Sequence, residues 1–205
     1  MAFSDLTFKF YTDSGLTVSF SNIYQLIHYT DLSDNPQDFT LYFGSAQSAG
    51  TRSLKATSNP GVDSITLTPT LTLATFAAST AYSVGDVVQP TTPNGYRYTV
   101  TTAGTSSTQP TWPTTLGSTV TTGTVTFTLY SARHPASEIK LALSSGGLAG
   151  ATGGAALALG TTLLSGSANA VAVYVRVTNT VATVSDTTGY PDIKLYMNEV
   201  VEQEV

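Results

Sequence analysis

Period-two alternation of apolar and polar residues, in short runs closed by turn residues, governs most of this chain. Residues 6–11 (Leu-Thr-Phe-Lys-Phe-Tyr) alternate, and 23–29 (Ile-Tyr-Gln-Leu-Ile-His-Tyr) do so less strictly. The pattern returns at 39–43, 65–68, 138–143, 171–177 and 193–197. In a strand successive side chains point to opposite faces, so such runs bury one face and expose the other. Between them stand Thr-Asp-Ser-Gly at 12–15, Ser-Asp-Asn-Pro at 33–36, Ser-Asn-Pro-Gly at 58–61, Pro-Asn-Gly at 93–95 and Asp-Thr-Thr-Gly at 186–189. These are turn formers. The expectation is an all-β fold, with about seven strands in a β-sandwich. Residues 146–160 carry six glycines, which disfavour a helix. They are expected to form an ordered loop with at most one helical turn.

Charge divides the chain. Residues 74–131 hold one acid, Asp86, and one base, Arg97, and sixteen of residues 91–130 are threonine. The flanking segments carry ordinary charge. The simplest organisation is an insertion at an exposed strand connection. Residues 1–73 and 132–205 would form a discontinuous host sandwich, and 74–131 a small inserted β module.

Composition excludes several functions. Only 10% of the 205 residues are charged, yet 41% are hydrophobic, enough for a core. The net charge is −5, and the eight basic residues are scattered singly, so no cationic stripe exists for nucleic acid. The absence of cysteine rules out disulfides and thiolate sites. No run is apolar enough to span a membrane as a helix, and no leader is read at the start. Gly-x-Ser-x-Gly, Gly-x-Gly-x-x-Gly and phosphate-loop patterns are missing. The two histidines, His28 and His134, lack metal-ligand spacing. Asp31, Asp34 and Asp38 cluster in a turn; Asx-turn duty fits them better than Ca²⁺, because the EF-hand glycine and terminal glutamate are missing. Glu199, Glu202 and Glu204 are expected in a solvated tail or a polar interface arm. No enzyme and no cofactor is expected.

Aromatic residues mark the inserted segment: Tyr82 ahead of Gly85-Asp86, Tyr96 and Tyr98 after Asn94-Gly95, and Trp112 between Thr111 and Pro113. Together these resemble the chitin-binding type 3 class of carbohydrate-binding modules, over about fifty residues. The resemblance implies a small β module with a Gly85-Asp86 turn. Tyr82, Tyr96 and Tyr98 would partly form its core, and Trp112 would be the ring on which a sugar stacks, with the three tyrosines as further candidates for sugar contact. Trp112 lacks the adjacent aromatics usual in that class. The same indole equally suits the cap of a very small core. One ring binds a sugar only at about millimolar strength, which matters when many copies act together.

Residues 8–16, 58–63 and 168–179 resemble small virion proteins of tailed bacteriophages. That resemblance implies a non-enzymatic, multi-copy virion component, assembled in the host cytoplasm and packed against other virion proteins. It would sit at the tail tip or baseplate and offer the module to host-surface polysaccharide. The alternatives are a capsid decoration protein with the same module and a free carbohydrate-binding protein.

Overall fold

A computed structural model describes residues 6–20, 33–180 and 193–205. The expected strand at 23–29, with His28, and the residues Asp31 and Asp186 to Gly189 lie outside the described residues. The rest is all β, with no α-helix among the described residues.

The strands, in chain order, are β1 Phe8–Tyr11, β2 Gln37–Ser45, β3 Arg52–Ala56 and β4 Ile65–Leu71; then β5 Ala74–Thr75, β6 Ala81–Tyr82, β7 Val87–Gln89, β8 Tyr96–Thr102, β9 Gly104–Thr105, β10 Thr119–Thr122 and β11 Val125–Ala132; then β12 Ile139–Ala142, β13 Leu157–Gly160, β14 Leu163–Leu164, β15 Val171–Val177, β16 Ile193–Met197 and β17 Val200–Glu204.

One host sheet has the order β1-β2-β15-β12, antiparallel throughout. Opposite it, β3 is flanked by β14 and β17, while β4 is flanked by β13 and β16. The same three chain segments therefore run side by side twice. Between the two stretches the middle segment makes an excursion, residues 57–64, built on Ser-Asn-Pro-Gly. Asn198 bridges the interruption. Its Oδ1 accepts from the Thr66 amide at 2.8 Å, and its Nδ2 donates to the Ser64 carbonyl at 3.1 Å. Satisfying these orphan backbone groups lets the ladder resume beyond the kink.

Both layers feed one core. Phe8, Phe43, Ile139, Leu141, Val173 and Val175 meet Leu54, Ile65, Leu67, Leu159, Leu163 and Met197. Along β15 the inward residues are Val173 and Val175, as alternation requires.

Residues 74–132 form a separate ladder system. Their main sheet has the order β10-β11-β8-β7-β5, and β6 pairs with β9. No ladder among the described strands joins them to a host strand. Their core, Phe76, Val88, Tyr98, Val100, Val125, Phe127 and Leu129, shares no residue with the host core. Chain exit and re-entry lie close together: β4, which leads into this segment, packs against the 3-10 turn Ala136–Glu138, which follows it.

Two expectations are corrected. The C-terminal acids do not form a free tail. Val200 to Glu204 pair with β3 in register, the Glu202 carboxylate accepts from the Thr7 amide at 2.7 Å, and Glu204 pairs with Arg52 at 3.0 Å. The glycine-rich segment is not wholly loop. It holds a 3-10 turn at Gly146–Ala149, but its last residues form β13 against β4.

Candidate functional site

The aromatic residues singled out in the sequence do converge, and their convergence is the core of the small sheet system. On β8, Tyr98 and Val100 point inward with Phe127 and Leu129 of β11. Tyr98 is 0% exposed. It is therefore corrected as a sugar-contacting residue, because a ring closed off from solvent offers no face for stacking. Its hydroxyl donates to the Pro113 carbonyl at 2.7 Å and accepts from Asn94 Nδ2 at 2.7 Å. Burial raises this phenol above its ordinary pKa, despite the opposing bond from Asn94.

Trp112 lies on the long connection between β9 and β10. Its ring sits 4.3 Å from Tyr98, 5.3 Å from Phe127 and 5.6 Å from Phe76, centroid to centroid, the last two edge-on. These are favourable aromatic geometries. The indole is half-buried, and its Nε1 is enclosed without a hydrogen-bond partner. Trp112 thus caps the core, and a stacking role would fall to whatever part of its ring stays uncovered.

Tyr82 is half-buried, stacked on Phe76 at 6.2 Å and edge-on to Phe127 at 5.3 Å. Its hydroxyl accepts from the Ala77 amide at 2.8 Å and donates to the Ala77 carbonyl at 3.2 Å. Tyr96 is half-buried against the same core. The Gly85-Asp86 turn forms as the resemblance implies. Gly85 takes φ +95°, a conformation natural to glycine, and Asp86 Oδ2 accepts from the Ser83 amide at 2.8 Å.

The opposite face of the same sheet escaped the sequence reading. With Val125, Phe127 and Leu129 inward, Thr126, Thr128 and Tyr130 of β11 lie on the other face, where Thr128 is itself buried at 5% exposed. On β10, Val120 packs inward and leaves Thr119 and Thr121 outward. Threonines stand in register across strands: Thr119 opposite Thr128, Thr128 opposite Thr99, and Thr121 opposite Thr126. Thr121 and Thr126 hydroxyls meet at 2.9 Å, as do those of Thr101 and Thr128.

A register shift between Leu129 and Ser131 leaves Tyr130 without a partner on β8. Such bulges redirect a side chain. Ser131 lies on the face away from the small core, where it accepts from Arg97 Nε at 2.6 Å and both side chains are buried. Tyr130 is 50% exposed, the one aromatic of residues 74–132 among the large hydrophobics left exposed. The signal was present: alternation in 125–130 already places Tyr130 with the threonines.

Outside this segment the buried ionisable pair is His134 Nδ1 with Glu138 Oε2 at 2.7 Å. Glu138 Oε1 also accepts from the Thr180 amide at 2.7 Å and from the Thr180 hydroxyl. Burial alone would raise the Glu138 pKa. The bonds from His134 and Thr180, with the attraction of His134, outweigh it and hold the carboxyl below its ordinary value. Both side chains are enclosed, so the pair clamps the stem after β11 to the segment after β15.

Of the turn acids, Asp38 spends both oxygens on Arg176, at 2.7 Å each. Asp34 accepts from Gln37. Among the described residues no three histidine, aspartate or glutamate side chains gather as a metal site.

No family model matches the chain, and no curated protein or solved structure matches it.

Proposed function

We propose that this protein is a non-enzymatic structural component of a virion, present in many copies, with the host sandwich as its anchor and residues 74–132 as a displayed module that contacts host-surface glycan. The observation that carries this reading is the pair of disjoint cores joined by two neighbouring chain crossings. A module that shares no ladder and no core residue with its carrier can project outward without weakening it. The sparse charge and the Ser- and Thr-rich composition agree with a chain packed among neighbours. Multiplicity would raise weak single contacts to useful adhesion.

The test is labelling of purified particles with antibody raised against the full chain, combined with imaging of particles that lack the protein. Label on the particle, with adsorption lost and heads intact, supports a tail location. Label with heads that fail under heat or low salt supports capsid decoration. Absence of the protein from purified particles overturns the virion reading.

A further inference from the structure

Strand β16, Ile193–Met197, closes one side of the three-stranded sheet β13-β4-β16 and has no ladder on its other side among the described strands. We infer that it is a self-pairing edge. Two copies of this chain join through it, antiparallel about a two-fold axis at Leu195, and the two small sheets become one of six strands. The pairing needs neither a virion nor a glycan.

Antiparallel ladders alternate bonded and non-bonded pairs. The Asn198 amide donates to the Thr66 carbonyl at 3.2 Å, and in the same register Tyr196 stands opposite Thr68 and Lys194 opposite Thr70. Asn198, Tyr196 and Lys194 therefore bond to β4. Ile193, Leu195 and Met197 turn their amides and carbonyls to the open side. Other host edges are guarded. The Tyr11–Ser19 bridge lies along β1, the Gly154 amide donates to the Ile139 carbonyl of β12, and β17 sets Glu202 and Glu204 on the same side as the core residue Leu54. Such devices hinder edge-to-edge contact. In β16 the core-facing residues are Ile193, Leu195 and Met197, and the strand holds no proline and no register shift.

Register selects a second copy as the occupant. Only registers that set the outward-turned residues opposite one another can bond. With Leu195 opposite its own copy, Ile193 meets the partner's Met197 and Lys194 meets the partner's Tyr196, each twice by symmetry. Both of these outer side chains are exposed, Tyr196 to 55%, and Lys194 makes no ion pair among the described residues. A non-bonded antiparallel pair brings side chains closest, and an ammonium over a phenol ring is favourable. A slip of two residues would instead oppose Lys194 to Lys194, or Tyr196 to Tyr196 over a shorter overlap. The charge that repels a like strand in the wrong register is thus the group that fixes the right one.

One five-residue pairing buries well under the roughly 1,200 Å² of a standard interface. The expected dissociation constant is about 10–100 μM, and the dimer builds up where copies are held close. The test is sedimentation velocity of the full-length protein from about 1 μM to about 500 μM. Wild type is expected to pass from monomer to dimer. Tyr196→Phe should keep the dimer, Tyr196→Ala should raise its dissociation constant about tenfold, and Tyr196→Lys should leave a monomer. The double variant Lys194→Glu with Tyr196→Glu should also be monomeric alone. Mixed with Tyr196→Lys it should form a heterodimer, since each lysine then faces a glutamate. Unchanged far-ultraviolet circular dichroism confirms that each variant is folded. A wild type that stays monomeric at every concentration overturns the pairing. So does a dimer that Tyr196→Lys leaves intact, or a mixture of the two charged variants that stays monomeric.

Discussion

The hydroxyl of Tyr98 donates to the carbonyl of Pro113 across 2.7 Å, tying the centre of the small core to the loop that carries Trp112. Asn94 completes the link from the β7–β8 turn. The turn just before β8 and the loop 15 residues after Tyr98 thus meet on one phenolic oxygen. Tyr98→Phe keeps the ring and removes the bridge. The expected loss is about 1–2 kcal/mol, read as a lower urea midpoint by Trp112 fluorescence. An unchanged midpoint would show that the bridge is dispensable.

The disjoint cores predict separable unfolding. Trp112 is the sole tryptophan, so its fluorescence reports the small sheet alone, while far-ultraviolet circular dichroism reports all strands. Phe127 is 0% exposed in one core and Val173 is 0% exposed in the other. Phe127→Ala should cost about 3–5 kcal/mol and shift the fluorescence transition. Val173→Ala should shift the circular dichroism transition and leave the fluorescence midpoint within error. Equal shifts of both signals by either variant would mean one cooperative unit.

How much of this was legible beforehand follows from where the physics is local. The alternating runs at 39–43, 65–68, 171–177 and 193–197 lie wholly in strands, and those at 6–11 and 138–143 overlap Phe8–Tyr11 and Ile139–Ala142, because side-chain period is set by the backbone itself. The separate ladders of residues 74–132 coincide with the charge-poor stretch 74–131, whose composition changes abruptly at its edges. Strand β17 was not legible. Val-Val-Glu-Gln-Glu reads as a polar end until β3 supplies a partner and Arg52 and Thr7 supply counterparts for its acids. The fate of Trp112 was equally hidden. Whether an indole caps a core or stands free depends on three rings brought from Phe76, Tyr98 and Phe127. Tyr130 is legible in the sequence, since the alternation of residues 125–130 sets it on the face opposite Phe127 and Leu129.

Glu138 predicts a defined acid limb. Its folded pKa lies below the unfolded value near 4.5, so folding favours the ionised form. The stability this contributes is complete above the unfolded pKa and is lost as pH falls through the folded one. Glu138→Gln should flatten that part of the stability curve below about pH 4.5 and lower the plateau above it. Glu138→Ala, which strands the Thr180 amide and His134, should cost about 3 kcal/mol at neutral pH. Urea midpoints between pH 3 and 7 check both, and a wild-type acid limb in Glu138→Gln would assign the proton uptake elsewhere.

Asp38 and Arg176 predict indifference to calcium. The two carboxylate oxygens are both taken by the guanidinium, across the β2–β15 pairing, and Arg176 holds Asp38 below its ordinary pKa. Calcium would have to displace a bidentate partner that is already in place. Thermal midpoints measured with 5 mM EDTA and with about 5 mM Ca²⁺ should therefore agree within a degree. The pair itself is partly exposed, so Arg176→Ala should cost less than about 1 kcal/mol. A calcium-dependent rise of several degrees would instead place the ion among these acids, and the same rise in Arg176→Ala alone would show that the guanidinium keeps calcium out.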